Sequence, residues 1–197
     1  MKIVVLGGGI STERDVSLSS SRMIYEALKK KGHQAILLDV YLGYEGDYED
    51  IFEKNIDWAE NIGGITESNP DISSIKALRK DGGKSFFGPG VIPVCQMADV
   101  VFLGLHGEDG ENGKVQAAFD LLGIRYTGTG YLSSAMAMDK RITKEVFLMN
   151  HVPTPGGFTM TRDNLEKDIA KHGLEFPVVV KTSCGGSSVG VYIVNDQ

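Results

Sequence analysis

Apolar runs and polar breaks alternate along this chain in two different rhythms. Lys2-Ile-Val-Val-Leu6 is short, continuous and rich in β-branched residues, the pattern of a strand buried in a parallel sheet. After Gly7-Gly8-Gly9 and a polar stretch to Arg14, apolar or small residues recur at Val16, Ser20, Met23, Ile24, Ala27 and Leu28. That spacing predicts a helix. Lys29-Lys30-Lys31 and Gly32 close it, because cations and glycine suit a helix C-terminus. Ala35 to Val40 is a second apolar strand. A β-α-β unit that begins at residue 2 implies a parallel sheet.

Residues 41 to 97 carry less pattern. Tyr44 to Ile56 is acidic and aromatic and reads as a short helix, and Ile72, Ile75 and Leu78 suggest another. Gly63-Gly64, Gly82-Gly83 and Phe87-Gly88-Pro89-Gly90 mark turns, and no chemistry is assigned to this stretch. Regularity returns with a strand from Asp99 to Leu105, a polar loop from His106 to Gly113, and a helix marked by Val115, Ala118, Phe119 and Leu122. A short strand, Ile124 to Thr127, and a tight turn at Gly128-Thr129-Gly130 follow. From Tyr131 the pattern is helical again, with Ile142, Val146 and Met149 on one face and Arg141 and Lys144 read as a solvated face. Val152-Pro-Thr-Pro155 reads as extended, because proline disfavours helix in the residue before it. The remainder predicts a strand at 157–160, a helix from Leu165 to His172 with capping-box spacing at Asp163 and Glu166, and two strands, Pro177–Lys181 and Val191–Val194, flanking the loop Thr182–Gly190. The expected organisation is two domains, residues 1–130 and 131–197, the second too small to bury much apolar surface alone.

Composition narrows the class of protein. The chain has 197 residues, 42% hydrophobic and 23% charged, enough for one large or two small globular domains. A net charge of -6 without a long basic cluster argues against general nucleic-acid binding. No apolar run approaches the length of a membrane span. No signal peptide is expected, since Met1-Lys2 leads straight into a strand. Two cysteines, Cys95 and Cys184, make no disulfide framework, and a reducing cytoplasmic setting is the expectation.

Candidate chemistry gathers at the strand ends. The glycine run after the first strand does not fit a dinucleotide fingerprint, because Thr12 stands where the third glycine or alanine belongs. Glu13, just before the first long helix, is placed to point a carboxylate into the cleft at the strand C-termini, where open α/β sheets bind ligands. His106 follows the third strand, so both polar loops open onto one edge of the sheet. Lys181 ends an apolar strand beside a loop of Gly and Ser, an arrangement that suits a polyphosphate: the ammonium is a point charge and glycines turn backbone N–H groups toward an anion.

The order of motifs resembles the D-alanine–D-alanine ligases of the ATP-grasp superfamily. It rests on Leu6-Gly-Gly-Gly-Ile-Ser-Thr-Glu-Arg-Asp-Val-Ser-Leu18, Leu105-His-Gly107 with Gly110-Glu-Asn-Gly113 and Val115-Gln116, Tyr126-Thr-Gly-Thr-Gly130, Met138-Asp-Lys140 with Thr143-Lys144, and Val180-Lys181 with Gly186-Ser-Ser-Val-Gly190. The resemblance implies an α/β fold: a Rossmann-like, parallel-sheet pre-ATP-grasp domain followed by an incomplete α+β ATP-grasp subdomain. It implies ATP-dependent joining of two D-alanines through an acyl-phosphate. By the same resemblance, Glu13 receives the ammonium of the first D-alanine, Val16 lines its methyl pocket, and Ser187 orders the site through its hydroxyl. His106 lies near the second D-alanine. Lys140 and Lys181 contact the ATP phosphates, and Gly186, Ser188 and Gly190 belong to the loop that covers them. A homodimer through the first domain is also implied. Two departures stand out. Glu111-Asn112-Gly113 replaces the usual Glu-Asp-Gly, and Thr182, Cys184 and Gly185 replace a proline and a charged pair. The family uses magnesium, whose ligands lie in a portion not represented in residues 1–197, so the fragment alone is expected to be inactive. A non-catalytic dimerising or ligand-binding remnant, and a ligase taking D-serine or D-lactate second, are the alternatives.

Overall fold

The computed structural model describes residues 1–65, 68–186 and 190–196. They form two compact units, Met1–Ser134 and Ala135–Gln197, with the division inside one helix.

The first unit is built on three parallel strands: β1 (Lys2–Gly7), β2 (Gln34–Asp39) and β3 (Val100–Leu103), in the order β2-β1-β3. Lys2 pairs with Gln34 and Leu6 with Leu38 on one side; Ile3 pairs with Val100 and Leu6 with Leu103 on the other. All three C-termini therefore end at the same edge. Alternate residues of the strands feed two cores, as the period of two requires. Val5, Ala35 and Leu37 pack with Tyr25 of α1 (Arg14–Lys30) on one face, while Val4, Leu6, Ile36 and Leu38 pack with the segment after β2 on the other. The second core also takes α3 (Val91–Met97), through Val91 and Val94, and α5 (Lys114–Leu122), through Val115 and Phe119. Two short helices, α2 (Ile72–Ala77) and α4 (Glu108–Glu111), lie on the paths to α3 and α5.

Helix α6 (Tyr131–Met138), which the division crosses, passes into α7 (Lys140–Met149), whose N-cap Asp139 accepts from the N–H groups of Arg141 and Ile142. A 3-10 turn (Ile169–His172) precedes the antiparallel hairpin of β4 (Val178–Lys181) and β5 (Val191–Val194).

Several local expectations give way, each to a nearer partner. Residues 44–56 form turns rather than a helix: Asp47 Oδ1 accepts from Glu49 N at 3.0 Å, an Asx-type turn that stops helix growth, while Ile51 and Phe52 are still buried. Ile124–Thr127 contributes a single parallel bridge, Val101 to Tyr126, because Thr127 turns its Oγ1 to accept from Leu103 N at 3.2 Å. No strand forms at 157–160; Lys144, expected on a solvated face, donates to the carbonyls of Pro155 and Gly156 at 2.8 and 3.3 Å. The helix expected over 165–172 shrinks to the 3-10 turn. Glu166 does not reach back to Asp163 but accepts from Asp168 N at 2.9 Å and pairs with Lys171. Helix α3 carries no periodic signal in so short a span.

Candidate functional site

The Gly7–Gly9 turn leaves β1 at the centre of the sheet edge, and its geometry is set by serines of α1. Ser17 Oγ accepts from Gly8 N at 2.9 Å and donates to Gly104 O at 2.8 Å, joining the ends of β1 and β3. Ser21 Oγ donates to the same carbonyl at 3.2 Å. These small residues let the helix approach closely: a Cβ on Gly7 would stand 2.3 Å from Ser21 Oγ and 2.8 Å from its Cβ.

The two polar loops meet. Ser11 Oγ donates to His106 O at 2.8 Å and accepts from Glu13 N at 3.2 Å. Gly107, at φ 83° in the left-handed region, passes so close that a Cβ there would lie 2.7 Å from Ser11 Cβ and 3.7 Å from Glu13 Cβ. The sequence-based pair, Glu13 and His106, is thus brought to one place by the Ser11 hydroxyl, which bridges their backbones. Glu13 is the N-cap of α1 but its carboxylate makes no capping hydrogen bond. It sits where the helix dipole stabilises negative charge. Glu13, Val16 and His106 are all half-buried.

Sequence reasoning assigned no role to the cation beside them. Arg14 is 7% exposed; its guanidinium donates to Gly9 O and pairs with Asp39 at the end of β2. Asp39 Oδ1 also accepts from Tyr41 N at 2.8 Å and Leu42 N at 2.9 Å. A polar residue closing an apolar strand and an arginine in a first helical turn, where cations are disfavoured, were the available signals. Beneath the His106 loop, Gln116 Nε2 donates to Gly110 O at 3.0 Å, while its buried Oε1 has no partner among the described residues.

In the second unit, Lys140 begins α7 and faces the loop after β4. Its backbone N donates to Ser183 O at 2.9 Å and its Nζ to Gly185 O at 2.7 Å. Lys181 is exposed at the end of β4, and Gly186 and Gly190 are the described residues on either side of 187–189. Ser187 and Ser188 lie outside the described residues. Arg141 is exposed and pairs with Glu145 at 2.9 Å. Among the described residues no group of three or more His, Cys, Asp or Glu is placed to hold a metal ion. None of their helices is long and apolar enough to cross a membrane.

The stretch that contains the whole sheet and both polar loops, residues 2–129, matches the family described as D-ala D-ala ligase N-terminus. The chain belongs to that family. D-alanine–D-alanine ligase of Lacticaseibacillus casei (strain BL23) is 47% identical over 201 residues, covering 100% of this chain and 55% of the relative. The corresponding ligase of Francisella philomiragia is 35% identical and covers 98% of this chain and 49% of its own length. Among solved structures, D-alanine–D-alanine ligase from Bacillus anthracis matches with a TM-score of 0.66 and 28% identity, over all of this chain and 50% of that one. VanG D-Ala:D-Ser ligase from Enterococcus faecalis matches with the same TM-score and identity, over 56% of its length. The chain therefore spans about half the length of these relatives and corresponds to their N-terminal portion. Its α/β architecture is that of the ligases.

Proposed function

We propose that this chain carries the first-substrate site of an ATP-dependent ligase that joins two D-alanines into D-alanyl-D-alanine for peptidoglycan precursor synthesis. The observation that carries the reading is the Ser11–His106 hydrogen bond, which brings the Glu13 and His106 loops together at the C-terminal edge of the sheet. A carboxylate with no capping duty, carried on a backbone that Ser11 holds, is suited to an amino-acid ammonium. Glu13 would hold the ammonium of the first D-alanine and Val16 would face its methyl group. His106, one loop away, would lie by the second D-alanine.

In the reaction the carboxylate of the first D-alanine attacks the terminal phosphorus of ATP and ADP leaves. The amine of the second then attacks the acyl carbon and phosphate leaves. Lys140 and Lys181 supply cations for the phosphates, with backbone donors from the Gly186–Gly190 loop. The likeness to a Bacillus anthracis ligase solved in complex with ATP supports the nucleotide. Ser187 and Ser188 keep their proposed parts, ordering the site and covering the phosphates. The described residues offer magnesium no cluster of ligands. A homodimer through the first unit and a cytoplasmic setting belong to the same proposal.

The test is a heat-shift titration of residues 1–197 with D-alanine and, as control, L-alanine. D-alanine should raise the midpoint, by the equivalent of ~2.7 kcal/mol at a hundredfold excess over Kd. Glu13→Gln should lower the unliganded midpoint only slightly, by the helix-dipole interaction of roughly 0.3–1 kcal/mol that the charge supplies, and weaken D-alanine by about tenfold or more, the loss of a charge-assisted hydrogen bond. The same sample given ATP and magnesium is expected to yield no dipeptide. No shift with either alanine would leave a non-catalytic remnant, and an undiminished shift in Glu13→Gln would remove the carboxylate from the site. D-serine as second amino acid is the other reading, supported by the likeness to the D-Ala:D-Ser ligase. Under it D-serine, added after saturating D-alanine, produces a second shift.

A further inference from the structure

A third segment reaches the Gly8–Gly9 turn, from the face of the sheet opposite α1. A Cβ built on Gly9 would meet Val40 Cγ1 at 3.3 Å and Phe86 Cζ at 3.8 Å, so the Phe86 ring lies beside the turn, at the distance a side chain there would touch. The loop that carries Phe86 is held by Arg79, whose side chain is 1% exposed. The Arg79 guanidinium donates from Nε to Asp81 Oδ1 at 2.9 Å, pairs with Oδ2 through its second arm, and donates to Ser85 O at 2.6 Å. Its plane lies over the buried ring of Tyr41, 4.7 Å from the centroid. The hydrogen-bonded guanidinium holds the Asp81 carboxyl below its ordinary value, so the fork is charged at neutral pH.

Both ends of this loop lead back to the site. Tyr41 N donates to Asp39, the carboxylate that holds Arg14. Phe87 stacks on Phe119 at 5.9 Å between centroids, and Phe119 belongs to α5, the helix after the His106 loop. Arg79 is closed off from solvent while its partner Asp81 is 45% exposed, so the pair is desolvated mainly at the cation and holds the loop from its inner side.

We propose that Arg79 is a positioning residue for the Gly8–Gly9 turn: by fixing the 81–87 loop it keeps Phe86 beside Gly9, limiting the room the turn has to move, and so sets where Arg14 and Glu13 stand at the sheet edge. The link to substrate rests on the function proposed above; the link to the turn does not.

The test uses Arg79→Met, Phe86→Ala, the double variant and Arg79→Lys in the 197-residue chain. Two readouts are taken: amide hydrogen exchange at Gly8 and Gly9 against Val4 and Ile36 in the strands, and D-alanine affinity. Arg79→Met and Phe86→Ala should each speed exchange at the two glycines by about tenfold, leaving the strand amides unchanged. The double variant should add nothing, because both act through one contact, and Arg79→Lys, which keeps the charge but not the fork, should recover only part. D-alanine affinity should fall severalfold in the same order. Faster exchange confined to residues 79–87 would reduce Arg79 to a local staple and overturn the proposal, as would faster exchange that extends equally to the strands. If the glycines respond as expected while the unaltered chain binds no D-alanine, the positioning role stands and the substrate reading falls.

Discussion

Side chains at this site differ in how far away their partner lies, and that distance governs what each reveals. Glu13 could be singled out from sequence because an acid at a helix start has a local electrostatic reason to be there. Arg14, its neighbour, could not, because its reason is Asp39, 25 residues on. The same contrast separates the cysteines. Cys95 is 1% exposed inside the core, and burial pushes its thiol up to about 12. Cys184 is exposed between Ser183 and Gly185, the two residues whose carbonyls receive Lys140. The thiolate is the reactive form. Alkylation of the native chain at mildly alkaline pH should therefore mark Cys184 and spare Cys95, with both labelled in denaturant; peptide mass mapping reads the result, and native labelling of Cys95 would contradict its burial.

At the scale of elements, β1, α1 and β2 emerged from sequence with bounds within two residues or so of those observed, because their periodicity is long and mutually consistent. The elements that failed are short, and at 44–56 and 157–172 a side chain or carbonyl found a nearer partner than a helix or strand offered. The close approach of α1 to the sheet was also hidden, although Ser17 and Ser21 stand four residues apart on one helical face. It makes Gly7 a sensitive position. Gly7→Ala places a methyl 2.8 Å from Ser21 Cβ, and the helix must move. We expect a loss of about 1–3 kcal/mol, typical of overpacking, measured by urea denaturation. Ser21→Gly in the same chain should recover part of it by vacating the contact. A Gly7→Ala chain as stable as the parent would show that α1 is free to shift.

For the molecule as a whole, the two units differ in how much they bury. Among the described residues every member of the buried hydrophobic core lies between Ile3 and Ile124. In the second unit both faces of the β4–β5 hairpin stay open: Tyr192 is 65% exposed on one and Ile193 72% on the other. A two-stranded hairpin without a covered face is marginal in water. Its amides should exchange on the order of a hundredfold faster than those of β1 and β2, a difference that hydrogen exchange resolved by residue can measure; equal protection would mean the hairpin is covered in solution. The parallel β-α-β order and the strand-end loops were determined by sequence alone, since hydrophobic period reports which way each residue faces. Period does not name the partner it will face. That Ser11 would meet His106 across 95 residues, that Asp39 would take Arg14, and that the patternless stretch from 41 to 97 would return Phe86 to the Gly9 turn were decided only by the path of the folded chain.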